Sequence, residues 1–241
     1  MRWKTKPDPN FEKVHQLSKE LSIDKTLAKI LVQRGIDSFD KAKQFFRPNL
    51  EDLHDPFLMK DMDIAVQRIE KAIANHENIL IYGDYDVDGT TAVSLLFSYL
   101  KTIYTNIATY IPDRYSEGYG ISYQGIDFAK DNDFSLIIAL DCGIKAIDKV
   151  AYASKKEIDF IICDHHKPGD QIPKAVAVLN PKRKDCSYPY DELCGCGVGF
   201  KLIQAIALGR NQSVEGLVEY LDLVATCLLY TSDAADETEG G

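Results

Sequence analysis

The chain has 241 residues, 45% of them apolar and 27% charged, with a formal net charge of −9. That is the composition of an ordinary globular protein and argues against a broad basic face that coats nucleic acid. No apolar run approaches the roughly 20 residues of a membrane-spanning helix, and the opening MRWKTKPDPNFEK has no apolar centre of a secretory signal, so a cytoplasmic protein without membrane contact is expected.

Residues 1–60 read as a helical N-terminal segment. Apolar residues recur at helical spacing from Phe11 to Leu21 and from Lys25 to Arg34, a further short helix is expected over Phe39 to Phe46, and Pro48 and Pro56 punctuate the chain. From Met62 to His76 the positions Ile64, Val66, Ile69, Ala72 and Ile73 predict an amphipathic helix. Strand-like and helix-like runs then alternate. The strands are expected at Ile79–Tyr82, Ile107–Ile111, Leu136–Leu140, Phe160–Cys163 and Ala175–Leu179. Helices are expected at Thr90–Thr102, Tyr123–Lys130, Lys145–Ser154, Val198–Ala207 and Val214–Leu223. Near-continuous apolar strands separated by helices imply a mostly parallel sheet covered on both faces, an α/β Rossmann-like domain over residues 61–226.

The polar clusters fall at the strand ends. Asp84, Asp86 and Asp88 follow the first strand, Asp141 the third, and Asp164-His165-His166 the fourth, the rim where open α/β sheets bind ligands. As alternate residues of an extended loop, Asp84, Asp86 and Asp88 can converge, with Gly89 turning the chain into the next helix. These seven ionisable groups would repel or lose charge unless cations were present. Oxygen donors with one or two imidazoles suit Mg²⁺ or Mn²⁺ better than structural zinc. Asp141, central in the set, is placed to bridge two ions about 3.5–4 Å apart, which would activate a water for hydrolysis of a phosphodiester or phosphoanhydride.

Each piece has a bland counterpart. Asp-x-Asp-x-Asp-Gly is also a fragment of a calcium loop, but Leu95 stands where that loop needs Glu. Asp141 before Gly143 could be a helix cap, and paired histidines a polar loop; it is their joint occurrence at strand ends that favours a site. Arg114, in Arg114-Tyr115-Ser116-Glu117-Gly118-Tyr119-Gly120, is placed to reach a phosphate at the same rim. Gly195 and Gly197 open a helix whose amides could cradle a phosphate, with close packing of small residues an equal alternative. Lys182-Arg183-Lys184 is a local cluster that could hold phosphates. The six cysteines lack Cys-x-x-Cys spacing and read as reduced thiols.

Tyr82-Gly83-Asp84-Tyr85-Asp86-Val87-Asp88-Gly89, Ala139-Leu140-Asp141-Cys142-Gly143, Asp164-His165-His166, Leu179-Asn180-Pro181 and the run Gly195 to Leu202 resemble, in that order, the motifs of the DHH phosphoesterase superfamily, most closely its RecJ branch of single-strand-specific exonucleases. The resemblance implies that Asp86, Asp88, Asp141 and His165 bind metal, with Asp84 a further ligand or neighbour. It also implies that His166 contacts the scissile phosphate and that Asp164 orients the histidines. The implied activity is Mn²⁺- or Mg²⁺-dependent 5′-to-3′ removal of nucleotides from single-stranded DNA in recombination and repair, by a monomer with a single-strand-binding protein and a helicase as partners. Sister branches of the superfamily act on short oligonucleotides, cyclic dinucleotides or pyrophosphate, and a non-catalytic scaffold is the alternative outside enzymes. The resemblance stops near Thr226: the family's next aspartate would fall near Thr231, and its role is not transferred to Asp233 or Asp236. Residues 227–241 break the periodicity and read as non-native sequence, resembling translated sequencing adapter, or as a disordered acidic tail.

Overall fold

The computed structural model describes residues 6–230, and the chain divides between Leu53 and His54 into two compact units. The first holds α1 (Phe11–Leu21), α2 (Lys25–Gln33) and α3 (Phe39–Phe46). Each begins on a side-chain cap: Asn10 accepts from the amides of Glu12 and Lys13, Asp24 from Thr26, and Ser38 from Lys41. These oxygens satisfy first-turn donors that have no helical partner. The apolar stripes bury Val14, Leu17, Ala28, Leu31 and Ala42 in a small core.

The second unit is an α/β domain. In chain order it runs α4 (Met62–Ala74), β1 (Asn78–Gly83), α5 (Val87–Lys101), β2 (Ile107–Tyr110), α6 (Tyr123–Asp131), β3 (Phe134–Leu140), α7 (Ile147–Lys155), β4 (Asp159–Cys163), β5 (Ala177–Leu179), α8 (Gly195–Gly209) and α9 (Leu221–Tyr230). The five strands pair in parallel in the order β2-β1-β3-β4-β5, the Rossmann-like arrangement expected from the apolar runs. Alternate residues face opposite layers. Leu80, Tyr82, Ile137, Ala139, Phe160 and Ile162 pack with Ile126 and Ala129 of α6 and Val150 and Ala153 of α7. On the other face, under α4, α5 and α8, Ile79, Ile81, Ile138, Leu140 and Ile161 are fully buried. Each such Leu or Ile contributes about 1.5–3 kcal/mol relative to an exposed side chain. Among the described residues no helix is long and apolar enough to cross a membrane.

Three elements differ from expectation. Helix α5 begins at Val87 instead of Thr90, because the Asp86 carboxylate accepts the Gly89 amide and caps it; Asp84, Asp86 and Asp88 are therefore not alternate residues of an extended loop. The Val214–Leu223 helix is a 3-10 run over Val214–Tyr220 that leads into α9. Helix α9 runs on to Tyr230, so residues 227–230 continue helical order instead of breaking it. Thr231, Asp233 and Asp236 lie outside the described residues, as does the tail expected over 231–241.

Candidate metal centre

Strand β1 has β2 on one side and β3 on the other, so the chain leaves it in opposite directions and a crevice opens at the carboxyl ends of β1 and β3. Every acidic and histidine cluster singled out above lies at this rim. Asp84 follows β1 and is fully buried, its Oδ1 accepting the Tyr85 amide at 2.8 Å. Burial, with the Asp86 charge, pushes its carboxyl up to about 6 against hydrogen bonds from the Tyr85 and Gly120 amides and the Tyr119 hydroxyl. Gly89 is required by close approach, not by a turn: a Cβ there would sit 2.5 Å from the Asp84 carbonyl oxygen.

Asp88, in the first turn of α5, spans the crevice to the start of α8. Its two oxygens accept the amides of Gly195 and Cys196, both at 2.7 Å, a carboxylate at the positive end of a helix. The Gly197 amide is taken by Cys194 Sγ at 3.2 Å. This corrects the expectation for Gly195 and Gly197: their amides face protein acceptors, and α8 anchors Asp88 instead of cradling a phosphate. Gly195 is needed because a Cβ would lie 2.3 Å from Asp141 Oδ1.

Asp141 follows β3 with a positive φ of 59°, a conformation uncommon outside glycine and tolerated best by Asp and Asn. It caps no helix, since α7 starts at Ile147; its amide donates to the Cys163 carbonyl at 2.8 Å. Its Oδ1 lies 3.2 Å from His165 Nε2, which is also 3.7 Å from Asp88 Oδ2. His165 and His166 follow β4 with ring centroids 4.6 Å apart, and the ligand atoms of Asp141, His165 and His166 all lie within 4.8 Å of one another. Burial, then the charge of His166, holds His165 below the ordinary imidazole range.

Asp164 is a buried bracket. One oxygen accepts the Ile144 amide at 2.8 Å; the other meets His166 at its amide (3.0 Å) and at Nδ1 (2.7 Å). Although burial opposes it, these contacts keep Asp164 below the usual carboxylate value. Burial and then the charges of Asp164, Asp84, Asp141 and Asp86 push the Cys142 thiol far up.

His165 Nε2 is buried and, although 3.2 Å from Asp141 Oδ1, makes no hydrogen bond, a costly state for a buried ring nitrogen. A divalent cation bound by Asp oxygens and imidazole would satisfy it and offset the crowding of carboxylates, so the donor set fits Mn²⁺ or Mg²⁺.

The remaining expectations fare differently. The Arg114 guanidinium lies over the Tyr85 ring, 5.1 Å from its centroid, beside the aspartates but not among them. Arg183 is buried and bound to Asp61, Asp185 and the Val178 carbonyl, so the Lys182-Arg183-Lys184 cluster is no three-charge phosphate grip. Two residues escaped the sequence reading. Asn180 is buried and its Nδ2 donates to the His166 carbonyl at 2.9 Å, and Tyr119 places its hydroxyl 3.3 Å from His166 Nε2. Asn180 sits in the Leu179-Asn180-Pro181 run, where a buried Asn after a strand was the available signal.

Comparison with known proteins gives a consistent picture. Residues 78–228 match the DHH family, N-terminal domain. A single-stranded-DNA-specific exonuclease RecJ from Bacillus subtilis is 42% identical over 225 residues, which cover 93% of this chain and 28% of that protein. A crystal structure of exonuclease RecJ bound to manganese superposes with a TM-score of 0.66 at 26% identity, over 72% of this chain and 44% of that one. RecJ of Thermus thermophilus in complex with Mn²⁺ shares the fold, with a TM-score of 0.75 at 23% identity over 93% of this chain and 31% of that one. The chain thus spans about three-tenths of the length of the curated relatives it matches.

Proposed function

The chain belongs to the DHH family, and from that premise we propose that it is a cation-dependent phosphodiesterase acting as a 5′-to-3′ exonuclease on single-stranded DNA. The observation that carries this reading is the convergence of Asp141, His165 and His166 at the ends of β3 and β4. Asp86, Asp88, Asp141 and His165, with Asp84 beside them, would hold two Mn²⁺ or Mg²⁺ ions. When bound, such ions polarise a phosphoryl oxygen and lower the pKa of water.

The chain's own groups supply position and charge. Asp164 and Asn180 hold the His166 ring and backbone, and His166 contacts the scissile phosphate. Asp88, pinned by two amides of α8, keeps the first turn of α5 and the start of α8 at a fixed separation across the crevice. Arg114, stacked on the Tyr85 ring beside the aspartates, contacts a substrate phosphate. A single-strand-directed activity of this kind belongs with recombination and repair, where a helicase exposes the strand and a single-strand-binding protein covers it.

The test is product analysis with a long single strand labelled at its 5′ end and Mn²⁺ present. Release of labelled mononucleotide, abolished by EDTA, is the expected result; cleavage confined to dinucleotides or pyrophosphate would overturn the exonuclease reading in favour of a small-substrate phosphoesterase.

A further inference from the structure

His166 is held at both ring nitrogens, and only one of its partners belongs to a conspicuous motif. Asp164 engages Nδ1 at 2.7 Å, and across the crevice, 47 residues earlier, the Tyr119 hydroxyl meets Nε2 at 3.3 Å. The Tyr119 ring stands edge-on to the rings of both His166 (6.3 Å) and Tyr85 (6.1 Å).

The turn that carries Tyr119 is anchored to the sheet. Glu117 accepts the Asp113 amide at 2.8 Å, the Tyr110 hydroxyl at 2.9 Å and the Ser122 hydroxyl at 2.5 Å. Tyr82, fully buried in β1, donates to the Gly120 carbonyl at 2.9 Å. These bonds hold the turn so that the Tyr119 hydroxyl reaches His166 Nε2 while also hydrogen-bonding Asp84.

We propose that Tyr119 is a positioning residue for His166, fixing the plane and direction of the imidazole through the hydroxyl–Nε2 contact while Asp164 fixes it through Nδ1. A phenolic hydroxyl both donates and accepts, so the one Tyr119 oxygen can meet Asp84 and His166 together. Partners that orient a metal-ligating imidazole contribute about 10- to 100-fold to affinity or activity, and the lower end of that range is expected for one that orients the phosphate-contacting His166. The proposal rests on the reading of His166 as the phosphate contact.

Tyr119→Phe keeps the edge contacts to Tyr85 and His166 and removes only the hydroxyl. Two measurements decide the matter. In the cation-free protein with ¹⁵N-labelled histidine, the variant shifts the His166 Nε2 resonance and leaves Nδ1 in place. With single-stranded DNA at saturating Mn²⁺, which compensates for the lost contact to Asp84, kcat falls about tenfold with KM nearly unchanged. Unaltered His166 resonances, or a loss confined to KM, overturn the proposal. Should the wild-type protein release no nucleotide, the proposed function fails, and the resonance shift alone still decides the role of Tyr119.

Discussion

Asp141 and Gly195 form a matched pair. The Asp141 side chain occupies the space a β-carbon on residue 195 would need, with 2.3 Å between that position and Oδ1. Gly195→Ala must therefore displace either the carboxylate or the start of α8. We expect a fall in kcat on the order of 100-fold and a stability loss of about 1–3 kcal/mol, read by steady-state kinetics and urea denaturation. Gly197→Ala is the contrasting case. Its β-carbon meets nothing closer than 3.4 Å, and alanine in a helix is favoured by roughly 0.5–1 kcal/mol, so stability should hold or rise; a drop in stability as large as that of the Gly195 variant would refute the packing account. Asp141→Asn removes one charge from the crowded rim and a donor from the cation site. Turnover with Mn²⁺ should fall about 100-fold or more, while the melting temperature of the cation-free protein, followed by calorimetry, should not fall.

Among the elements, α8 carries a second commitment besides anchoring Asp88. Lys201, 3% exposed, donates to the His54 carbonyl at 2.9 Å and to Gln204 Oε1 at 2.8 Å, and burial lowers its pKa from 10.5 to about 8 against the charge of Asp55. Between those two values the unfolded chain binds more protons than the folded one, so stability rises with pH across that window and is lost again as pH falls back to 8. Lys201→Met should flatten the rise, and chemical denaturation at pH 8 and pH 10 would reveal it; identical slopes in the two proteins would contradict the buried charge. The elements also show what a sequence discloses. Strands β1, β3 and β4 were legible because a parallel strand covered on both faces is an almost unbroken apolar run. The start of α5 was not, since Asp86-Val87-Asp88-Gly89 has the composition of a loop and turns helical where the Asp86 carboxylate caps the Gly89 amide; nor was the bond of Asp88 to the opening of α8, which joins residues 107 apart. The acidic and histidine cluster was legible from its place at strand ends. The contact of Tyr119 with His166 joins residues 47 apart and leaves no local pattern.

Across the whole molecule, burial is uneven. The helices of residues 1–53 share a core of Val14, Leu17, Ala28, Leu31 and Ala42, whereas β1 and β3 are buried along nearly their full length. Local stability follows buried apolar contact. Amides of α1 to α3 should exchange with deuterium faster than those of β1 and β3, and Leu17→Ala, a deletion costing about 2–5 kcal/mol, should speed exchange in α1 to α3 further. Protection of α1 to α3 equal to that of the sheet would contradict this ranking.

The Cys142 thiol lies 2% exposed among four carboxylates that disfavour its ionisation. Since the thiolate is the form that reacts with alkylating agents and peroxide, the negative charge gathered at the crevice also renders the sulfur beneath it chemically inert. Among the described residues every cysteine but Cys186 is buried, so maleimide reagents should attach at Cys186. That side chain, which accepts the Lys60 amide at 3.5 Å, thereby offers a place for a fluorophore.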